Sequence, residues 1–224
     1  MQNSELKKRV AVIDYGMGNL YSVKKSCEHV GLTAILTSLR EEIETSDAII
    51  LPGVGAFGDA MKNLKNLGLV DVLISAIESG KLFMGICLGF QLLMTESDEF
   101  GVHRGLNVIS GKVVRFPSEK RKVPQVGWNK IFPLVSVNWH PTILANVPQG
   151  SEMYFVHSYF VVPQDKNIQL ATTIYEGVEY CSAISQKNIF ACQFHPEKSG
   201  NTGLKVYRNF AQKVLGLKRG EQDE

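Results

Sequence analysis

The segment that most constrains the architecture reads Leu82-Phe83-Met84-Gly85-Ile86-Cys87-Leu88-Gly89. Its first five residues are apolar or small, which predicts a buried strand, and a helical pattern begins at Leu88. Gly-x-Cys-x-Gly between a strand and a helix is typical of a sharp turn that lifts a nucleophile out of a sheet, because the glycines leave room for a tight backbone. A thiol at the start of a helix is also favoured in its ionised form. The motif alone fits a buried structural cysteine equally well.

On both sides of this segment the sequence alternates between strand and helix patterns. Before it, we predict strands at residues 10–14, 34–37 and 48–51, and helices at residues 20–30, 57–67 and 69–79. After it, we predict strands at residues 111–116, 152–156, 159–162, 169–175, 180–185 and 189–193, and a final helix at residues 203–215. This order predicts an α/β domain with one mixed, mostly parallel sheet, helices on both faces and antiparallel additions. We expect a single domain over residues 1–224, frayed at 1–9 and 217–224.

Composition excludes several classes of protein. Hydrophobic residues make up 44% of the chain and charged residues 21%, and the net charge of +2 gives no basic field for nucleic acid. The longest apolar runs are strand-sized, so we expect no membrane span. The four cysteines include no C-x-x-C pair, which favours reduced thiols in a cytoplasmic protein.

A second candidate motif, Gln193-Phe194-His195-Pro196-Glu197, directly follows the last predicted strand. A cysteine nucleophile needs a base, and the base needs a group that fixes its tautomer. His195 could supply the first role and Glu197 the second. A lone histidine after a strand is more often a structural hydrogen-bonding residue, but a carboxylate two residues away favours the catalytic interpretation.

A third motif, Pro52-Gly53-Val54-Gly55-Ala56-Phe57-Gly58, contains G-x-G-x-x-G. A dinucleotide site requires an acidic residue at the end of the following strand, but the nearest candidate, Asp71, falls in a helical pattern. The alternatives are an oxyanion loop that aims a backbone N–H at developing charge, or a simple turn. The five histidines show no metal-ligand spacing, so we expect neither a metal nor a cofactor.

Five separated motifs, in order between residues 10 and 215, resemble class I glutamine amidotransferases, and within them the glutaminase subunits of imidazole glycerol phosphate synthases. The motifs are Asp14-Tyr15-Gly16-Met17-Gly18-Asn19, residues 52–61, Gly127-Trp128-Asn129, Tyr154-Phe155-Val156-His157-Ser158-Tyr159 and residues 193–200. The turn at residues 85–89, with Gln91 just after it, resembles the nucleophile elbow of the same enzymes. The resemblance implies a flavodoxin-like amidotransferase fold.

The resemblance also implies a role for each site residue. Cys87 attacks the side-chain amide of L-glutamine, His195 moves the proton and Glu197 orients the imidazole. Backbone N–H groups of Leu88 and, after a loop rearrangement, Val54 hold the oxyanion. The implied glutamine-binding residues are Gly55, Gln91, Glu99, His157, Ser158 and Tyr159.

Subunits of this kind form a heterodimer with a (β/α)8 cyclase, which uses the ammonia to make imidazole glycerol phosphate and AICAR in histidine biosynthesis. The resemblance implies that Asn19, Trp128 and Lys198 lie near the interface, although solvated or structural roles explain these side chains equally well. One position departs from the family pattern Pro-His-x-Gly-Trp-Asn, because this chain has Gln125 in place of the histidine. The triad is unaffected, but the departure leaves open a paralogous subunit that supplies ammonia for amidination of a surface sugar.

Two further classes of protein remain as alternatives. The cysteine turn would also suit a peptidase or a γ-glutamyl hydrolase on a related sheet. A non-catalytic regulatory module with a retained fold is the other alternative, although an intact triad disfavours it.

Overall fold

The computed structural model describes residues 8–117, 119, 122–134 and 137–217. Its strands are β1 (Arg9–Ile13), β2 (Thr33–Thr37), β3 (Ala48–Leu51), β4 (Leu82–Ile86), β5 (Met94–Ser97), β6 (His103–Arg104), β7 (Ile109–Arg115), β8 (Gln125–Lys130), β9 (Glu152–His157), β10 (Tyr159–Pro163), β11 (Gln169–Tyr175), β12 (Val178–Gln186) and β13 (Ile189–Cys192). The helices are α1 (Leu20–His29), α2 (Arg40–Thr45), α3 (Phe57–Asn66), α4 (Val70–Glu78), α5 (Leu88–Gln91) and α6 (Gly200–Leu215), with 3-10 turns at Lys166–Ile168 and Pro196–Lys198.

The main sheet has seven strands in the order β11-β12-β13-β4-β3-β1-β2. From β2 to β13 neighbouring strands are parallel, and β12 and β11 are added in antiparallel pairings. The parallel strands therefore deliver the residues after β1, β3, β4 and β13 to one edge of the sheet, where α/β proteins build their sites.

Alternation along the central strands creates two hydrophobic cores, one on each face. In β1, Val10 and Val12 face the core that contains Val23 of α1 and Phe210 of α6. The intervening residues Ala11 and Ile13, like Ile49 and Leu51 of β3, face the second core, which buries the apolar sides of α2, α3 and α4. Successive side chains of a strand point to opposite faces, so strands buried on both sides need apolar residues at every position.

The predicted α/β class, mostly parallel sheet and helices on both faces are confirmed. The antiparallel additions extend beyond the main sheet, because β10, β7, β5 and β6 form a separate four-stranded sheet and β8 and β9 a two-stranded one. The helix predicted from Leu88 is a single turn. The strands β5, β6 and β8 and the helix α2 were not predicted.

The predicted frayed ends fall largely on residues 1–7 and 218–224, which lie outside the described residues. Arg9 opens β1, where its backbone N–H donates to the Asp47 carboxylate at 2.7 Å. Within the described ranges, no helix is long and apolar enough to cross a membrane.

Candidate active site

The turn between β4 and α5 holds Cys87 in a strained backbone conformation. Its φ is 54° and its ψ is −107°, a region that residues with a side chain rarely occupy. Glycine is required at position 89, and the space beside position 85 is tight. A Cβ at Gly89 would overlap the carbonyl oxygen of Leu51, and one at Gly85 would lie 3.1 Å from the Cβ of Ala191. The sequence motif therefore forms the nucleophile turn that its spacing predicted.

The strand pairing brings His195 and Glu197 to the same edge of the sheet as Cys87. Strand β13 lies beside β4, and the backbone N–H of Cys87 donates to the carbonyl of Cys192 at 2.8 Å. His195 Nδ1 lies 2.7 Å from Glu197 Oε1, and both side chains are 2% exposed. Among the described residues, His195 Nε2 has no hydrogen bond of ordinary geometry, which leaves this nitrogen available to the thiol.

The electrostatics favour a protonated imidazole at His195. Burial alone would lower the pKa of this histidine, but interactions with Cys87 and Glu197 outweigh that effect and raise the pKa to about 10. A protonated His195 can stabilise a thiolate and later give its proton to a leaving group. A buried acceptor on Nδ1 fixes the orientation of the ring, as in other triads.

Cys87 opens on a cavity of about 430 Å³. The residues that line it with Cys87 are Val54, Gly55, Leu88, Gln91, Glu99, Pro124, Val156, His157, Ser158, Tyr159 and Lys198. All eight residues predicted for the oxyanion and glutamine sites are therefore brought together around the thiol. A larger cavity of about 610 Å³ lies on the other side of Glu99, but it contains no cysteine and no triad member, so we assign the chemistry to the smaller one.

Comparison with known proteins agrees with this geometry. Residues 11–214 match the family described as glutamine amidotransferase class-I. The chain belongs to the class I glutamine amidotransferases. It is 47% identical to the imidazole glycerol phosphate synthase subunit HisH of Geobacter sulfurreducens over 91% of this chain and 98% of that relative. It is 43% identical to subunit HisH 1 of Legionella pneumophila strain Paris over 91% of this chain and 98% of the relative.

Solved structures support the amidotransferase fold. The structure of PurLQS from Thermotoga maritima superposes with a TM-score of 0.72 at 21% identity and covers 93% of this chain and 100% of that chain. A structure titled glutamine amidotransferase gives a TM-score of 0.67 at 19% identity over 93% of this chain and 99% of that chain. At these identities the likeness shows the fold alone.

The loop predicted to hold the oxyanion is in a conformation that engages one of the predicted donors. The backbone N–H of Leu88 points to the carbonyl of Gly53 at 3.4 Å, and Val54 is 39% exposed. Tyr15 stabilises the loop, because its buried hydroxyl donates a hydrogen bond to the Pro52 carbonyl at 2.9 Å. The loop rearrangement that the resemblance implies for Val54 would also release the Leu88 donor.

Two predicted glutamine-binding side chains already make polar contacts. Gln91 Nε2 donates to the Tyr159 carbonyl at 2.9 Å and to Gln193 Oε1 at 3.1 Å. Glu99 Oε2 accepts the backbone N–H of Phe57 at 2.6 Å, and burial, as the largest effect, raises the pKa of this carboxyl. Both contacts fix the side chains at the wall of the cavity before any ligand enters.

The three predicted interface residues lie in different surroundings. Asn19 caps α1, because its Oδ1 accepts the N–H of Ser22 at 3.4 Å. Trp128 is 53% exposed, with its ring 6.0 Å from that of Tyr154. Lys198 lines the cavity, with Nζ 5.6 Å from the centre of the Tyr154 ring. Asn19 thus has the structural role that the sequence left open, and Trp128 and Lys198 flank one half-buried tyrosine.

Sequence reasoning missed the role of Gln193. This fully buried side chain donates from Nε2 to Cys87 Sγ at 3.5 Å, and its Oε1 accepts from Gln91. Its place directly before the histidine motif was the available signal.

The other three cysteines are buried and free, and burial raises the pKa of each, to about 12 at Cys27. In the part of the chain that the structure describes, no cluster of metal-ligating side chains is present.

Proposed function

We propose that this chain is the glutaminase subunit of an imidazole glycerol phosphate synthase. It hydrolyses L-glutamine to glutamate and ammonia for use in histidine biosynthesis. The observation that carries the proposal is the convergence at one cavity of a strained Cys87 and the His195–Glu197 pair, with 2.7 Å between Nδ1 and Oε1. Relatives named as HisH subunits match over nearly their whole length at 43–47% identity, which supports the pathway.

The chemistry proceeds through a thioester. The Cys87 thiolate attacks the amide carbon of glutamine and forms a tetrahedral oxyanion. His195 gives its proton to the amide nitrogen, the carbon–nitrogen bond breaks, and ammonia leaves. Water then attacks the thioester while His195 accepts its proton, and collapse of the second intermediate releases glutamate and regenerates the thiolate and imidazolium.

Backbone donors stabilise both tetrahedral intermediates. We assign this role to the N–H groups of Leu88 and Val54, once the loop that contains Gly53 has moved its carbonyl away from Leu88. Loss of one such donor typically costs about 10²–10³ in rate. The present contact between Leu88 and Gly53 supports low activity in the isolated chain.

Glutamine is held by its α-amino and carboxylate groups. The Glu99 carboxylate suits the ammonium, because it is the one acidic side chain among the residues that line the described cavity. The other polar atoms of the substrate, including its carboxylate, are left to the rest of the predicted glutamine site. That part consists of Gly55, Gln91 and the segment of His157, Ser158 and Tyr159.

The partner is a (β/α)8 cyclase, which receives the ammonia and releases imidazole glycerol phosphate and AICAR. Trp128 and Lys198 support docking beside the cavity, together with Val126, which is 57% exposed on the same strand as Trp128. We place the heterodimer in the cytoplasm, in keeping with four reduced cysteines.

The surface-sugar paralogue is not favoured, because the relatives described above are named as histidine-pathway subunits despite the Gln125 departure. The decisive experiment measures glutamate release by the chain with and without a co-purified cyclase. We expect turnover with the partner and its loss in Cys87→Ala, while Cys181→Ala, a matched change at a buried thiol outside the cavity, keeps activity.

Full glutaminase activity in Cys87→Ala would refute the proposed chemistry. Strong activity of the chain alone on γ-glutamyl or peptide substrates would favour the other cysteine hydrolases. Absence of a covalent adduct at Cys87 with 6-diazo-5-oxonorleucine would favour the non-catalytic module. Formation of imidazole glycerol phosphate from glutamine by the reconstituted pair tests the pathway.

A further inference from the structure

A chain of buried polar side chains leads away from the cavity wall to strand β8. It starts at the carbonyl of Tyr159, which lies 2.8 Å from His157 Nδ1. His157 Nε2 lies 3.3 Å from the hydroxyl of Tyr180, and that hydroxyl lies 2.9 Å from Gln125 Oε1. Gln125 Nε2 in turn lies 3.0 Å from Asn129 Oδ1. Gln125, Tyr180 and His157 are 0%, 3% and 7% exposed, so each contact matters to its polar atoms.

Counting protons along this chain shows that one is missing. His157 is neutral, because burial as the largest effect lowers its pKa to about 3. The contact with the Tyr159 carbonyl needs the single imidazole proton on Nδ1, since a carbonyl only accepts. His157 Nε2 is then an acceptor and requires the one hydroxyl proton of Tyr180. That leaves no proton between the oxygens of Tyr180 and Gln125.

We propose that Gln125 is a positioning residue that donates a hydrogen bond to Tyr180, with the amides of Gln125 and Asn129 each rotated by about 180° about the last side-chain bond. The rotation exchanges oxygen and nitrogen in a planar group of nearly unchanged shape. Asn129 then donates to Gln125, Gln125 to Tyr180, Tyr180 to His157 and His157 to Tyr159. Every contact has one proton, and every donor points towards the cavity.

Because all the hydrogen-bond donors of this chain point the same way, the chain affects the substrate site. This step rests on the proposed glutamine-binding role of residues 157–159. Aligned hydrogen bonds polarise one another, and a fully satisfied buried network holds its members in one arrangement. The Tyr159 carbonyl also accepts from Gln91 at 2.9 Å, so the chain fixes two parts of the cavity wall at once. What matters at position 125 is therefore the ability to donate, which histidine shares with glutamine and leucine lacks.

The tautomer of His157 tests the proposal directly. In ¹⁵N-labelled protein, we expect the His157 imidazole to carry its proton on Nδ1, with the resonance assigned by its loss in His157→Gln. The reverse assignment, with Gln125 as acceptor, requires His157 to donate to Tyr180 and so puts the proton on Nε2. A proton on Nε2 in the wild-type protein would overturn the proposal, and this measurement needs no variant at position 125.

Kinetics of the complex with the cyclase supply the second test. Gln125→Leu is expected to raise KM for glutamine about 10-fold with kcat changed less than about twofold, since the chain supports binding and not the triad. Tyr180→Phe should do the same, and the double variant should be no worse than either single one, because both break one chain. Gln125→His should restore KM. Ser182→Ala, at a buried hydroxyl on the same strand as Tyr180, serves as the control that leaves KM unchanged.

An unaltered KM in Gln125→Leu, or a fall in kcat alone, would contradict the positioning role. Failure of the proposed function gives a different result. The wild-type complex would then release no glutamate, while the His157 tautomer would still decide the direction of the chain.

Discussion

The two buried histidines at the active site should affect stability with opposite dependence on pH. Burial lowers the pKa of His157 from 6.5 to about 3, so the folded protein keeps it neutral while the unfolded chain takes up a proton as the pH falls through 6.5. For His195, burial is outweighed by Cys87 and Glu197, and the pKa rises from 6.5 to about 10. The folded state therefore keeps this proton while the unfolded chain loses it as the pH rises.

The size of each effect follows from the difference in bound protons. Averaged between about pH 7.5 and about pH 5.5, the unfolded chain binds about half a proton more than the folded state at His157 and about half a proton fewer at His195. Across these two pH units, acidification lowers the free energy of unfolding by about 1.4 kcal/mol through His157. Through the His195 imidazole alone the effect has the opposite sign, but the Cys87 thiolate that raises this pKa has itself given up a proton, so His157 gives the cleaner test.

Urea unfolding of the wild-type protein and of His157→Gln at the two pH values measures the His157 effect. On acidification, we expect His157→Gln to gain about 1.4 kcal/mol relative to the wild type. Comparing changes within each protein removes the fixed cost of the substitution. If His157→Gln kept the pH dependence of the wild-type protein, the neutral state assigned to His157 would be wrong.

Three further substitutions test separate parts of the structure. Glu197→Gln should lower kcat at least about 10²-fold with little change in KM, because an amide cannot stabilise the charged imidazole across the 2.7 Å contact. Both constants are measured by the release of glutamate. Gly89→Ala should lower the free energy of unfolding, measured in urea, by roughly 2 kcal/mol or more, because the new methyl group overlaps the carbonyl at the end of β3. A fully stable variant would contradict that packing. Asn209→Leu should lower the free energy of unfolding by about 2–4 kcal/mol, because the carbonyls of Ile143 and Ala145 lose the amide donor that lies 2.8 and 2.7 Å away. Unchanged stability would show that these carbonyls find other partners.

Features that depend on a few consecutive residues could be predicted from the sequence. The bounds of β3 and β4 follow from apolar runs that must be buried on both faces. Gly85 and Gly89 mark the nucleophile turn, because a side chain would overlap the backbone at position 89 and would be tightly packed at position 85. His195 and Glu197 are two residues apart, so their pairing needed no knowledge of the fold. The predicted convergence of their motif with Cys87 followed from the rule that sites form at the ends of parallel strands.

Features that depend on distant partners could not be predicted. Helix α2 has six residues and buries only Ile43, which leaves no periodic pattern to detect. The division of the strands among three sheets depends on pairings that the local sequence does not encode. The contact of Gln193 with Cys87 joins residues 106 positions apart, and only the fold brings these two side chains together.

The unequal access to the four thiols has a practical use. Cys27, Cys181 and Cys192 lie inside the protein with their pKa values raised by burial, whereas the Cys87 sulfur faces a cavity that a small molecule can enter. A compact electrophilic dye should therefore modify the native chain at a single position without prior removal of other cysteines. Such a conjugate would report on opening of the cleft through its fluorescence, and it would do so from the reacting atom itself.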